Sequence, residues 1–306
     1  VYGAYEVARA IEGTPAIIQR ETSDAVEEAV DLLAAGSIIG WFTGSSELGP
    51  RALGQRSILC DPRRPDAKEK LNARVKHREA FRPFAPVLPL EEVGGWFELD
   101  GADPASPFML RVMKFREDKR DQVPAVVHVD GTGRVQSVTR EANGSYYELV
   151  RRFGERTGVP VLLNTSFNVM GEPIVETPED ALWCLLLTDL DACVFDGGVV
   201  TKRPEYRSLG QLRPYFLTRP KAVQRRGDAV AAIFEVQTPW GPHAFGLQDE
   251  TVVRVLDVLL GGAMDGEATA DVVFSRLRSA LGPMPDTFLV RLFAQFRRWR
   301  MISFRA

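Results

Sequence analysis

The chain is poor in the residues that define the commoner catalytic and metal-binding classes. Three cysteines occur in 306 residues, Cys60, Cys184 and Cys193, and no two stand as CxxC. That excludes a disulfide framework and a thiolate zinc site, and fits buried thiols in a reducing compartment. The three histidines, His77, His128 and His243, are too scattered for a metal spacing such as HxxxH, so no metal-ligating residues are assigned. No apolar run reaches the roughly 18 residues that a membrane helix needs. The first residues, Val-Tyr-Gly-Ala-Tyr-Glu, hold neither a basic region nor an apolar one, and no initiator methionine. A secretory leader is therefore not expected, and the chain reads as a fragment or a processed, cytoplasmic protein. GxxxxGK(S/T), GxGxxG and GxSxG are all missing, so neither a P-loop, nor a dinucleotide fingerprint, nor a nucleophile elbow is present. No internal repeat or low-complexity tract stands out.

What is present is globular. Hydrophobic residues make up 45% and charged residues 26%, enough for a core in one large or two ordinary domains. The net charge is −3, but it is unevenly spread. Between Arg51 and Arg82 stand ten Lys/Arg against four acids, a local balance of +6. A positive patch on an acidic protein is the footprint of an anionic ligand, whereas the bland reading is a solvated basic face. The cations here are interleaved with the turn formers Gly44, Gly49-Pro50 and Gly54, and they recur in apolar settings such as Phe81-Arg82-Pro83-Phe84. Turn N–H groups, Arg forks and a Lys point charge are what a polyphosphate needs.

In chain order, residues 1–20 read as an N-terminal arm with a short helix at most over Glu6–Ile11. Asp24 caps a helix whose apolar positions Val26, Val30 and Leu33 follow one face until Gly36. Ser37–Phe42 reads as a buried strand and Asp66–Val75 as a helix with its cations outward. Ala85–Leu88 and Phe108–Val112 read as strands, and Ala125–Val138 as strand, turn, strand. Asn143–Arg156 is an amphipathic helix. Val159–Asn168 is an apolar strand ending in small polar residues, at the kind of strand end where α/β proteins bind ligands. Thr177–Asp180 caps a helix to Thr188, and Ala192–Phe195 is a strand. A domain over 21–203 is followed by a linker over 204–227, rich in Arg, Pro and Gly. A second unit over 228–306 opens with a hairpin at Ile233–Leu247. Helices at Asp249–Leu260, Ala270–Leu281 and Pro285–Arg298 and a final strand, Met301–Phe304, follow.

Three segments could converge on one anion: Arg51 and Ser57 with Lys76, Arg78 and Arg82; His128, Asp130, Arg134 and Gln136; and Asn164, Thr165, Ser166 and Asn168, with Glu172 shortly after. Cations would neutralise phosphates, and hydroxyls and amides would fix orientation.

Five stretches in this order resemble a known family: Gly49-Pro-Arg-Ala-Leu-Gly54, Arg56-Ser-Ile-Leu59, the run from Lys76 to Pro86, His128-Val-Asp-Gly-Thr132, and Leu163-Asn-Thr-Ser-Phe-Asn168 with Gly171-Glu-Pro-Ile174. Over about residues 20–203 the chain resembles the C-terminal half of the O-carbamoyltransferases, which carbamoylate hydroxyls of antibiotics and nodulation factors. The resemblance implies a YrdC-like α/β fold, a twisted mixed sheet with flanking helices. It also implies formation of carbamoyl-adenylate from carbamoyl phosphate and ATP, with Mg²⁺. Matched by motif, Arg51, Lys76 and Arg82 are the expected catalytic cations on the phosphate groups. Ser166 and Asn164 are expected at the nucleotide or carbamoyl group, with Arg134 as a further anion ligand. Ser57, Arg78, His128, Thr165 and Asn168 complete the expected substrate and ATP contacts.

Two departures set limits. The family's actin-like, metal-bearing transfer domain has no counterpart here, so acceptor transfer is expected to need a missing or separate partner. The unit over 228–306 is extra. It resembles a winged-helix, α+β domain and faintly the peptide-recognition domains of peptide-modifying enzymes, which makes a peptide or protein partner the expectation. From Asp271 onward it holds seven Arg against two acids, so nucleic acid is the less favoured alternative. A basic groove holding a nucleotide or RNA without chemistry is the rival reading of the first domain.

Overall fold

The helices begin where the sequence supplies caps. Asp24 accepts the Glu27 N–H ahead of helix α2 (Ala25–Ala34), and Asn143 accepts that of Tyr146 ahead of α5 (Gly144–Thr157). Thr177 and Asp180 form a reciprocal capping box on α6 (Pro178–Leu187). The computed structural model describes residues 2–76, 82–169, 172–217, 222–226, 229–238, 241–247, 249–299 and 301–306. The chain divides into two units after Arg203.

The first unit is mixed α/β. Its strands are β1 (Ile17–Glu21), β2 (Ile39–Phe42), β3 (Arg56–Cys60), β4 (Ala85–Pro89), β5 (Phe97–Glu98), β6 (Arg111–Phe115), β7 (Thr132–Val138), β8 (Leu162–Ser166), β9 (Ala192–Phe195) and β10 (Gly198–Lys202). They form one ten-stranded sheet in the order β1-β10-β9-β2-β3-β8-β4-β7-β6-β5. The pairs β2–β9 and β4–β7 are parallel and the others antiparallel. Helix α1 (Ala4–Glu12) and the short α3 (Ala67–Leu71) and α4 (Val93–Trp96) complete it. Residues 1–20, read as an arm, thus carry a helix and most of an edge strand, because Ile17 to Glu21 find backbone partners on β10.

One face of this sheet explains where a site can be. Alternation puts Leu162, Asn164 and Ser166 of β8 on the same side. Register sets Leu59 and Ala85 beside Asn164, Ser57 beside Ser166, and Gln136 beside Val87. At one end this face is apolar: Leu59, Val87, Val138 and Leu162 pack with Val30, Leu33, Leu149, Val150 and Phe153 of α2 and α5. Each such aliphatic side chain contributes about 1.5–3 kcal/mol when buried. At the other end the same rows continue as Ser57, Arg134, Gln136, Asn164 and Ser166.

Three local readings shift. Asp66–Val75 is α3 followed by a π turn over Asn72–Lys76, at the end of which Lys76 is buried to 3% exposure. The strand expected at Phe108 starts at Arg111, because Met109 takes a left-handed φ of 56° that interrupts extended backbone. Ala125–Val138 holds one strand rather than two. Pro124 starts a 3₁₀ turn, and the Asp130 carboxylate accepts both the N–H and the hydroxyl of Thr132 to close a tight turn before β7.

The second unit holds β11 (Arg213–Phe216) paired antiparallel with β15 (Ile302–Arg305), and a three-stranded antiparallel sheet of β12 (Ala222–Arg226), β13 (Ala229–Thr238) and β14 (Gly241–Leu247). Helices α7 (Glu250–Val258), α8 (Ala270–Leu281) and α9 (Asp286–Arg298) lie between β14 and β15. Phe274, Phe293 and Phe296 cluster in its core. Residues 204–216, read as linker, belong to this unit: Tyr206, Leu209 and Leu212 are buried, and Leu212 O accepts the Ala270 N–H. No described helix is long and apolar enough to cross a membrane.

Candidate functional site

The loop between β2 and β3 carries Gly49-Pro-Arg-Ala-Leu-Gly54, and nearly every turn of it is tied down. One oxygen of the Glu47 carboxylate accepts three backbone N–H groups, from Leu53 (2.8 Å), Gln55 (2.9 Å) and Arg56 (3.2 Å). Asn164 Nδ2 donates to Ala52 O at 3.0 Å and Gln136 Nε2 to Leu53 O at 3.0 Å. Gly54 O accepts from Trp41 Nε1 and Asn143 Nδ2, both at 3.1 Å. Position 54 admits only glycine, with φ at +103° and the Tyr146 ring 2.1 Å from where a Cβ would stand. Ser57 is fully buried and its Oγ accepts the Gly54 N–H at 3.1 Å. It supports the loop and is not among the residues lining the cleft.

This rigid loop presents Arg51 to a cleft at the polar end of the sheet face. The cleft is lined by Arg51, Arg134, Asn164, Thr165 and Ser166, all expected from sequence, and by Pro50, Ala52, Pro83, Phe84, Ala85 and Met109. At about 80 Å³ it suits a group the size of a phosphate or carbamoyl, whereas whole-ligand pockets run to several hundred. Burial, and secondly the nearby charge of Arg51, push the Arg134 guanidinium below the usual arginine range. Arg134 Nε is buried without a hydrogen-bond partner among the described residues, and so is Asn164 Oδ1. Two like charges near one another and an unpaired guanidinium N–H are suited to an anion, which relieves both; the amide oxygen of Asn164 calls for a donor instead.

Lys76 lies beside this cleft's floor. Its Nζ donates to Ser166 O and Asn168 O (2.9 Å), to Asn168 Oδ1 (2.8 Å) and, at 3.3 Å, to Ser166 Oγ. Ser166 Oγ in turn donates to Asn168 Oδ1 at 2.8 Å, and Asn168 Nδ2 to Glu172 O at 2.7 Å. The π turn and the end of β8 are thereby one hydrogen-bonded block. Arg82 is exposed, one residue before the Pro83 wall of the cleft. His128 is half-buried outside the lining: its Nδ1 lies 3.0 Å from Thr132 Oγ1, and burial holds its pKa below the ordinary value. Arg78 lies outside the described residues.

Sequence reasoning missed Glu47, Asn143, Arg56 and Met109. Glu47 had a faint signal, a lone acid beside a glycine-rich turn. Arg56 lies at 0% exposure over the Phe42 ring, 3.5 Å from its centroid, and donates to Thr43 O at 2.7 Å. It is a structural cation within the basic run. A larger hollow, lined by Tyr2, Glu21 and Asp196 among others, has carboxylates and no cation among its described lining residues, which disfavours a phosphate there. Among the described residues no group of three or more His, Cys, Asp or Glu could hold a metal ion.

Fold and cleft together define an α/β unit in which Arg51, Arg134 and Asn164 line one small cleft. The chain belongs to the carbamoyltransferase C-terminus family, which matches residues 30–202. It is 46% identical over 206 residues to nodulation protein NolNO of Sinorhizobium fredii, covering 63% of this chain and 30% of that protein. With nodulation protein NolO of Bradyrhizobium diazoefficiens it shares 48% over 187 residues, covering 61% and 34%. With the 3'-hydroxymethylcephem-O-carbamoyltransferase of Amycolatopsis lactamdurans it shares 38% over 187 residues, covering 60% and 34%. The chain spans about a third of the length of these curated relatives.

Proposed function

We propose that the first unit activates a carbamoyl group, making carbamoyl-adenylate from carbamoyl phosphate and ATP for transfer to the hydroxyl of a natural product. The observation that carries the reading is the cleft in which Arg51, Arg134 and Asn164 meet, inside the stretch matched by the family. Water takes the phosphoryl group of carbamoyl phosphate, the bridging P–O bond breaks, and carbamate and phosphate result. A carbamate oxygen then attacks the α-phosphorus of ATP, and the Pα–O bond to the leaving pyrophosphate breaks. Both steps build negative charge on phosphoryl oxygens, which Arg51 and Arg134 are positioned to stabilise. Lys76 fixes Ser166 and Asn168, so that the hydroxyl and amide keep their orientation. Magnesium enters on the ATP phosphates as part of the substrate.

Transfer to the acceptor hydroxyl is assigned to the remaining length of such relatives, on the same polypeptide or on a partner. The second unit is assigned to docking of a peptide or protein. The test is carbamoyl-phosphate-dependent ATP–pyrophosphate exchange on this chain, beside Lys76→Ala and Ser166→Ala. Exchange that disappears in both variants supports the reading. No exchange and no ATP binding in the parent sinks it and favours a non-catalytic binding module.

A further inference from the structure

We propose that the hollow beside helix α1 is a second binding site of the first unit, and that it takes a small organic ammonium ion with an apolar body. It is separate from the anion cleft, with which it shares no described lining residue. The inference does not rest on the carbamoyl-activation reading.

The hollow lies between the start of α1, the end of β1 and the turn from β9 to β10. Tyr2, Val7 and Ala8 line it on one side, Glu21 on the second, and Phe195 and Asp196 on the third. Its volume is about 630 Å³, the size of a small-molecule site, against about 80 Å³ for the cleft. Its walls carry two chemistries. One is aromatic and apolar. The Tyr2 ring packs on Phe42 at 6.1 Å between centroids and Phe42 on Phe195 at 5.3 Å, so a buried ring backs the aromatic wall. The other is anionic, from Asp196 and Glu21.

Asp196 is half without water and short of partners. The Gly44 N–H donates to it, one donor for a carboxylate that can accept about four hydrogen bonds. Burial pushes its carboxyl up, against the pull of that N–H and of the Arg56 charge. Arg56 is already committed: it lies over the Phe42 ring and donates to Thr43 O, Gln55 O and Glu176 O. A partly desolvated carboxylate gains from a cation brought to it, and an aromatic face attracts the same charge. The complement of this lining is an ammonium group at Asp196 with its apolar body against Tyr2 and Val7. Glu21, exposed at the end of β1, adds a weaker pull at the mouth.

The test is titration of the full chain, followed by NMR, with three probes of nearly one shape: phenethylammonium, neutral 2-phenylethanol and anionic 3-phenylpropionate. The parent should bind the ammonium at least about tenfold more tightly than the alcohol, and the carboxylate least. Asp196→Asn should bring the ratio of ammonium to alcohol near one; because the readout is a ratio, general damage to the hollow does not imitate it. If that variant fails to fold, Glu21→Gln should still lower the ratio about threefold. Ala8→Trp, on an exposed position of α1, fills the hollow and should abolish ammonium binding. Equal affinity of the parent for ammonium and alcohol, or no binding of the ammonium, overturns the inference and leaves carbamoyl activation standing. A ratio unchanged in a folded Asp196→Asn overturns it as well, as does undiminished binding in Ala8→Trp.

Discussion

Glu47 is the residue on which the shape of the candidate site most depends. A single oxygen of its carboxylate holds three loop donors, the N–H groups of Leu53, Gln55 and Arg56. A hydrogen bond to a charged group is worth about 1.5–3 kcal/mol. Glu47 is only half-buried, so water replaces part of what Glu47→Ala removes. The expected net loss is about 2–4 kcal/mol for the three bonds together. In a unit of this size each kcal/mol moves the melting temperature by about 2–4 °C. The transition of the first unit should therefore fall by roughly 4–16 °C in scanning calorimetry. Arg51 is carried by the same loop, so affinity for inorganic phosphate should drop about tenfold, equivalent to about 1.4 kcal/mol. Glu47→Gln keeps an acceptor oxygen and should lose less than half as much of each. If Glu47→Ala melts and binds phosphate as the parent does, the loop is held by its other anchors and the reasoning is refuted.

Arg51→Gln should separate binding from stability. Arg51 is exposed and its charge bears on the half-buried Arg134, so its loss should weaken phosphate binding at least tenfold while leaving the melting temperature unchanged or slightly higher. Cys60, Cys184 and Cys193 are buried with their thiols pushed up by desolvation, Cys184 to about 12. A thiol reagent at pH 8 should label none of the three in the native protein and all of them in guanidinium; rapid native labelling would contradict the packing. Burial holds the His128 pKa below its unfolded value, against the pull of Asp130 and aided by Arg134 and Lys68. The unfolded chain then binds the proton first, so stability should fall as the pH drops below about 6.5 and level off below the folded value. Denaturant melts of parent and His128→Gln across that window should diverge toward low pH, the variant being the flatter; parallel curves would show that His128 is not the group responsible.

Much of the first unit was legible in the chain because its signals are local. The caps at Asp24 and Thr177, the apolar stripe of α2 and the run Ala192–Phe195 act within a turn or two and were readable as written. So was the chemistry of the cleft. Arg51, Arg134, Asn164, Thr165 and Ser166 were marked by residue type and motif from three segments spread over more than a hundred positions, and the structure brings them to one cleft. The same reasoning could not say which polar residues face that cleft and which support it. Ser57 and Arg56 carry the same functional groups as their neighbours but are spent on the backbone of the loop.

Composition settled that this chain has enough apolar residues for a core and a concentrated positive patch, and its motifs carried the resemblance to a family. The tertiary structure alone decided the rest, because it depends on register between strands far apart in sequence. Pairing of β8 with β3 and β4 sets Asn164 on the face that the helices leave open, and Gln136 then locks its amide. Lys76, at the end of the π turn, is buried against the end of β8, a contact between segments 90 positions apart. The left-handed turn at Met109, which walls the cleft, follows from no local propensity; it stands three residues after Ser106, whose N–H and hydroxyl are tied to β7.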